Sequence, residues 1–258
     1  MSRRVPITKM HGTSNDFVVL DNRRAKIADL PAFGRHVCDR HVAVGADGLL
    51  AIEASSVADA KMRVINADGS EAEMCGNGMR CVARWLAENG EGDARRVETA
   101  GGIIETAVVR REPSFDVRLG LGEPEATHRP IAGYDAWSIV MGNPHVVLFV
   151  DDFDAVDLEA LASSLQGTPE HPEGTNVHLA RRSGDGLEVR HWERGVGRTM
   201  ACGTGAVSCA VAAISAGIAV SPVAVRVPGG TLGVEWTPEG GAFLTGPAER
   251  VFDTDVLA

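Results

Sequence analysis

The sequence predicts an α+β protein built from two copies of one domain, each a curved, mostly antiparallel sheet wrapped around a central helix. Three observations carry this expectation. At an offset of 128, the stretch NDFVVL (15–20) lies over NPHVVL (143–148), with four of six positions identical. The same offset places TAGG (99–102) over VPGG (227–230), and an offset of 127 places CGNG (75–78) over CGTG (202–205). Collinear matches at nearly constant spacing mark a duplication, and two copies make a pseudo-twofold pair rather than a solenoid. The halves are expected at 1–112, completed by the C-terminal segment 249–258, and at 113–248.

Taken in chain order, the elements follow from period and punctuation. Strands are expected at 17–21, 61–66, 102–109 and 115–120, and again at 146–150, 187–192, 224–228, 231–236 and 241–246. These runs hold β-branched residues and are bounded by Gly, Pro, Asp or Asn. One helix in each half begins just after its Cys-Gly-x-Gly turn. Met79, Val82, Ala83 and Leu86 recur at helical spacing before the stop at Asn89-Gly90, and Ala206, Val207, Ala210, Val211 and Ile214 do so before Gly217. Shorter helices are expected over 30–40 and 157–166. The tract 111–130, with three prolines, reads as the linker.

Composition narrows the function classes. Thirty-five acidic against 25 basic residues give a net charge of −10 and no sizeable basic cluster, which argues against a nucleic-acid surface and for a small-molecule partner. The N-terminal MSRRVPITKMHG has no apolar stretch after its basic residues, so a cytoplasmic protein is expected. Five cysteines, an odd number in a chain long enough to bury its own core, read as reduced thiols. The uncharged stretch 199–225 is rich in Ala, Val and Gly rather than Leu and Phe, so it predicts an enclosed small-residue helix and not a membrane span.

The chemistry lies in the two cysteine turns. A thiol at a helix N-terminus feels unpaired backbone amides and the positive end of the dipole, which predicts a lowered pKa for Cys75 and Cys202. Glycines at +1 and +3 let the amides of Gly76, Asn77 and Gly78, and of Gly203, Thr204 and Gly205, face an anion such as a carboxylate. A pseudo-twofold would bring the two thiols face to face. One thiolate could then remove an α-proton while the opposite thiol protonates the other face, inverting the centre. Cys38, Cys81 and Cys209 are read as inert packing. No nucleotide-binding glycine motif and no metal-ligand spacing occurs, so neither a cofactor nor a metal is expected.

With these residues in view, the chain closely resembles the diaminopimelate epimerases, which interconvert L,L- and meso-diaminopimelate without a cofactor. The resemblance runs through KMHGTSNDFVVLDN (9–22), GADGLL (45–50), NADGSEAEMCGNGMR (66–80), GNPH (142–145), GTNV (174–177), ERGVGRTMACGTGA (193–206) and PGGTLGVEW (228–236). It implies that Cys75 and Cys202 are the acid/base thiols, with His145 and Glu193 tuning them. It implies further that Gly76, Asn77, Gly203 and Thr204 hold the α-carboxylate. Asn15, Asn66, Asn143, Asn176, Glu193 and Arg194 would hold the rest of the substrate, the Arg194 guanidinium suiting a bidentate grip on the distal carboxylate. A homodimer and a place in lysine and peptidoglycan-precursor biosynthesis are implied in the same way.

Alternatives stay open at the level of residues. Asn143 before Pro144, and Asn66 near Asp68-Gly69, serve equally well as turn residues. The proline racemase group resembles the chain at both cysteine turns but carries histidine where Asn77 stands, and a binding or thiol redox protein on the same fold would use the cysteine pair differently. Three positions depart from many members of the family: Ser14 stands for glycine, Gly48 for glutamine and Arg198 for glutamate. Arg198 is expected to favour the thiolate of Cys202.

Overall fold

The computed structural model of the chain describes residues 4–257. It divides into two compact units, Met1–Leu119 with Gly246–Ala258, and Gly120–Thr245. The α+β class stands, and both units use the same plan.

The first unit contains β1 (Arg4–Gly12), β2 (Asn15–Asp21), α1 (Leu30–Val37), β3 (Gly48–Glu53), β4 (Ala60–Asn66), β5 (Glu71–Ala72), α2 (Gly76–Glu88), β6 (Ala94–Thr99), β7 (Gly102–Arg110) and β8 (Asp116–Gly120). The second runs through β9 (Glu125–Ile131), β10 (Tyr134–Val140), β11 (Pro144–Phe149), α3 (Leu158–Leu165), β12 (Asn176–Ser183), β13 (Gly186–Glu193), β14 (Gly197–Thr199), α4 (Gly203–Ser215), β15 (Val223–Val227), β16 (Gly230–Glu235) and β17 (Phe243–Pro247). The last strand, β18 (Glu249–Leu257), returns to pair antiparallel with β1 of the first unit.

Pairing follows one order in each unit. From β1 it runs through β2, β3, β4, β6 and β7 to β8, with β2–β3 and β4–β6 parallel. From β10 it runs through β11, β12, β13, β15 and β16 to β17, with β11–β12 and β13–β15 parallel. The remaining pairings are antiparallel. Residues 113–119, expected in the second half, belong to the first unit because β8 continues the ladder of β7. The expected linker 111–130 holds strands β8 and β9, and it is irregular at 111–115 and at 121–124. Strands β1, β3, β5, β6, β9, β10, β12, β14 and β18 were not among those expected from sequence punctuation.

Each sheet is covered by a helix on either face. Leu30, Phe33 and Val37 of α1 pack on Val18, Leu20, Leu49, Ala51 and Ile65, and Leu158, Leu161 and Leu165 of α3 pack on Val146, Leu148, Val177 and Leu179. Asp29 and Asp157 cap these helices by accepting from backbone amides of their first turns, contacts worth about 1 kcal/mol each. The opposite faces receive α2 and α4. In α4, Ala206, Ala210, Ala212 and Ala213 are fully buried against Val147, Ala180 and Val189, because a side chain of one methyl lets backbone approach backbone. This helix is 13 residues long, and no helix among the described residues is long and apolar enough to cross a membrane.

Candidate active site

In the first unit, the chain leaves the β4–β5 hairpin and enters α2 through Cys75, which is the N-cap in extended conformation. Its sulfur accepts from the Gly78 amide at 3.4 Å and donates to Asn15 Oδ1 at 3.7 Å. The same Asn15 oxygen accepts from Asn77 Nδ2 at 3.3 Å, while Asn15 Nδ2 donates to Asp47 Oδ2 at 2.7 Å. Asn15 reaches this place through a two-residue hairpin turn. Thr13 and Ser14 both have positive φ, 50° and 67°, the backbone of a turn whose twist matches the flanking strands. Ser14 thus occupies a conformation that glycine adopts without strain.

Behind these groups lies Arg80, one turn into α2 and wholly buried. Its guanidinium donates to Asn77 Oδ1 at 3.0 Å, Thr13 Oγ1 at 3.1 Å, Pro247 O at 3.0 Å and Gly76 O at 3.4 Å, all neutral oxygens. Burial lowers its pKa, and the nearby Cys81 and Cys75 sulfurs and Asp116 oppose this. Gly12 leaves the space for it: a Cβ there would lie 2.9 Å from Asn77 O and 3.0 Å from Arg80 Nη2. Asn66 is turned to a local task, since its Nδ2 donates to Ser70 Oγ at 2.9 Å within the hairpin turn.

In the second unit Cys202 is the N-cap of α4, also extended, and makes no side-chain cap hydrogen bond. Its sulfur lies 3.7 Å from Thr204 Oγ1. The expectation of a lowered pKa fails here. Burial pushes the Cys202 thiol well up, the Glu193 carboxylate adds to this by charge and by accepting the thiol proton, and only Thr204 and the Gly205 amide pull the other way. A helix terminus contributes fractions of a charge at a site that has lost its water, and desolvation wins. Burial likewise raises the Glu193 carboxyl, opposed by Thr199 and Cys202, although Thr199 Oγ1 makes no hydrogen bond of normal geometry. The expectation for Arg198 also fails. It is exposed, pairs in register with Trp192, and lines a cleft with Phe153, Asp157 and Arg190.

Glu193 ends β13, and the turn after it is pinned by Asn176. The Asn176 Oδ1 accepts from the Arg194 amide at 3.0 Å, and its Nδ2 donates to Pro144 O at 3.0 Å. This ties β11, β12 and the Glu193-Arg194 turn into one frame. The Arg194 guanidinium donates to Glu173 O at 3.2 Å and is otherwise exposed. His145 is fully buried, with Nε2 at 2.8 Å from Asn143 Oδ1 and Nδ1 at 2.9 Å from His178 Nε2.

The structure therefore brings Cys75 together with Asn15, Gly76 and Asn77, and Cys202 with Glu193, Gly203 and Thr204. In the second unit Asn143 joins His145, and Asn176 joins Arg194. The sequence reading missed Asp47, Arg80, His178 and His191. Arg80 had a visible signal, a cation at an apolar position of the helix face, whereas the two histidines are neighbours only through strand register. Cys38 and Cys81 sit in the core with thiols pushed up to about 11 and about 12, and burial raises Cys209 too, as inert packing requires.

These features define a two-unit α+β fold in which a cysteine starts the enclosed helix of each unit. The fold is shared, at 15% identity and a TM-score of 0.77, with a phenazine biosynthesis protein of the PhzF family from Bacillus anthracis, covering 99% of this chain and all of that one. A hydroxyproline epimerase from Agrobacterium vitis, solved with bound trans-4-hydroxy-L-proline, shares it at 17% identity and a TM-score of 0.67, covering 99% of this chain and 91% of the other. The family model described as diaminopimelate epimerase matches residues 7–127 and 137–251. Proteins named diaminopimelate epimerase from Archaeoglobus fulgidus and Sphingopyxis alaskensis are 43% and 42% identical. The matches cover 97% and 95% of this chain, and 95% of each relative. The chain belongs to the diaminopimelate epimerase family and is an epimerase.

Proposed function

We propose that the protein interconverts L,L- and meso-diaminopimelate by a two-base mechanism in which Cys75 and Cys202 are the acid/base groups. The observation that carries the reading is the unequal setting of two equivalent helix-capping thiols. Cys75 donates as a thiol to Asn15 Oδ1 at 3.7 Å, and the charge of the buried Arg80 guanidinium near it is placed to stabilise its thiolate once that proton leaves. Burial holds Cys202 as a thiol, and the Glu193 carboxylate beside it adds to this.

In one direction, the Cys75 thiolate takes the α-proton, leaving the electron pair on the α-carbon and its carboxylate. The Cys202 thiol delivers its proton to the opposite face, and the configuration is inverted. A thiolate newly formed at Cys202 stands beside Glu193, and that repulsion favours its reprotonation. The amides that open α2 and α4, at Gly76-Asn77 and Gly203-Thr204, hold the carboxylate as charge develops on it. Asn15, Asn143 and Asn176 orient the substrate, Asn66 joins them on giving up its hydrogen bond to Ser70 Oγ, His145 supports the acid/base work, and Arg194 grips the distal carboxylate. A cytoplasmic homodimer serving lysine and peptidoglycan-precursor synthesis completes the reading.

The test is α-proton exchange. Reduced protein in heavy water, with no pyridoxal phosphate added, is expected to wash out the α-proton signal of L,L-diaminopimelate and to leave proline and lysine untouched. Silence with diaminopimelate under reducing conditions overturns the reading.

A further inference from the structure

The second unit contains a continuous row of three buried imidazoles that runs across β11, β12 and β13. His145 Nδ1 lies 2.9 Å from His178 Nε2, and His178 Nδ1 lies 2.9 Å from His191 Nδ1. At one end His145 Nε2 meets Asn143 Oδ1 at 2.8 Å, and at the other His191 Nε2 is buried with no hydrogen-bond partner. The rings are spent on one another, and no group of three or more His, Cys, Asp or Glu among the described residues is arranged to hold a metal ion.

The first unit provides an internal control. Register places Phe17 opposite Gly48 as His145 is placed opposite Asn176, and Leu50 opposite Val64 as His178 is placed opposite His191. Phe17, Leu50 and Val64 are all buried. The fold thus completes the same three positions with apolar side chains, and packing alone does not require histidine there. Three buried polar rings in place of three hydrophobes cost stability unless each ring is satisfied.

Satisfying them fixes the protons. A carbonyl oxygen can only accept, so His145 Nε2 carries a hydrogen and donates to Asn143. A neutral His145 then accepts at Nδ1, which makes His178 Nε2 a donor and its Nδ1 an acceptor, and makes His191 Nδ1 a donor. The row ends on a bare lone pair at His191 Nε2, a smaller penalty than a stranded N–H. We infer that His178 and His191 are positioning residues which lock His145 into a single neutral tautomer, its proton on Nε2 and directed at Asn143. This rests on the functional reading above only in taking His145 as part of the acid/base machinery.

The groups that bear on the row agree with neutral rings. Burial holds His145 and His191 down to about 3 and His178 well below its ordinary range, and the charges of Arg194 on His145 and Arg190 on His191 act in the same direction. From the helix side His178 is met by Gly205, which has no side chain.

The experiment is nitrogen NMR of histidine-labelled protein at about pH 6, with and without His178→Leu, the residue that the first unit carries at that place. In the unaltered protein, His145 and His178 are expected to show a proton on Nε2 and His191 the rarer proton on Nδ1, all three neutral. In His178→Leu, the His145 signals are expected to lose that fixed pattern, with kcat for diaminopimelate down about tenfold or more and KM within about twofold. An imidazolium among the three at this pH, or His191 protonated at Nε2, overturns the inference even if the variant does not fold. So does a His178→Leu protein that keeps the His145 pattern and kcat. The tautomer pattern requires no substrate, so the expected pattern alongside absent exchange defeats the epimerase reading and leaves the row intact.

Discussion

Leu50 and His178 do the same steric work in their two units: each fills the space a side chain would need at the second glycine of its cysteine turn. A Cβ on Gly78 would meet Leu50 Cδ2 at 2.8 Å, and a Cβ on Gly205 would meet the His178 ring at 2.6 Å. The Cys-Gly-x-Gly spacing therefore has a packing cause as well as a chemical one, because the helix start lies directly on the central strand. A leucine end can swing away, whereas the imidazole is held by hydrogen bonds on both sides. Gly205→Ala is accordingly expected to lower unfolding free energy by about 1–3 kcal/mol, and Gly78→Ala by less. Urea titrations of the two variants read the order directly, and a larger loss at Gly78 would contradict it.

Cys75→Ser and Cys202→Ser are each expected to lower epimerisation by at least about 10²- to 10⁴-fold. Unfolding free energy should change by less than about 1.5 kcal/mol, since neither exchange opens a cavity. Polarimetric or NMR assay of L,L-diaminopimelate, paired with denaturation curves, separates chemistry from folding. Full activity in either variant removes that thiol from the mechanism.

Glu193→Gln should lower the pH at which Cys202 becomes reactive. Burial would still hold the thiol up, but the carboxylate that disfavours its thiolate would be gone. Following iodoacetamide labelling of Cys202 against pH by mass spectrometry, the variant's curve is expected to lie on the acid side of the original. A shift toward alkali would show that Glu193 does not act on this sulfur by charge.

The histidine row makes stability depend on pH. In the unfolded chain these rings titrate near 6.5, and in the native protein burial holds two of them down to about 3. Above 6.5 both states are neutral and the stability is fully present. As pH falls from 6.5 toward 3 the unfolded chain binds protons that the native state refuses, and stability drops by up to about 1.4 kcal/mol per pH unit for each histidine. Replacing the row by its first-unit counterparts, His145→Phe, His178→Leu and His191→Val, should flatten this slope in urea melts between about pH 6.5 and 5 and abolish activity. An unchanged slope would mean that other groups govern acid unfolding.

Arg80→Gln removes a wholly buried cation with four neutral acceptors around it. Unpairing those acceptors is expected to cost about 3 kcal/mol or more, and labelling of Cys75 at neutral pH should slow as its nearby positive charge disappears. Unaltered Cys75 labelling in a folded variant would separate the guanidinium from the thiol's chemistry.

The duplication, the α+β class, all four helices and both cysteine turns were legible in the sequence, because each is a local pattern: period, punctuation or repeated spacing. The family resemblance named the residues around the thiols in the same way. Strand pairing was not legible, since it joins residues far apart in the chain. The partnership of Asn15 with Cys75 and Asn77 was hidden for that reason, and so was the alignment of His145, His178 and His191. The protonation of Cys202 was misjudged for a related cause. A helix terminus can be read from its own residues, but the water lost around a sulfur and the carboxylate brought beside it depend on how the whole unit packs, and there desolvation outweighs the dipole.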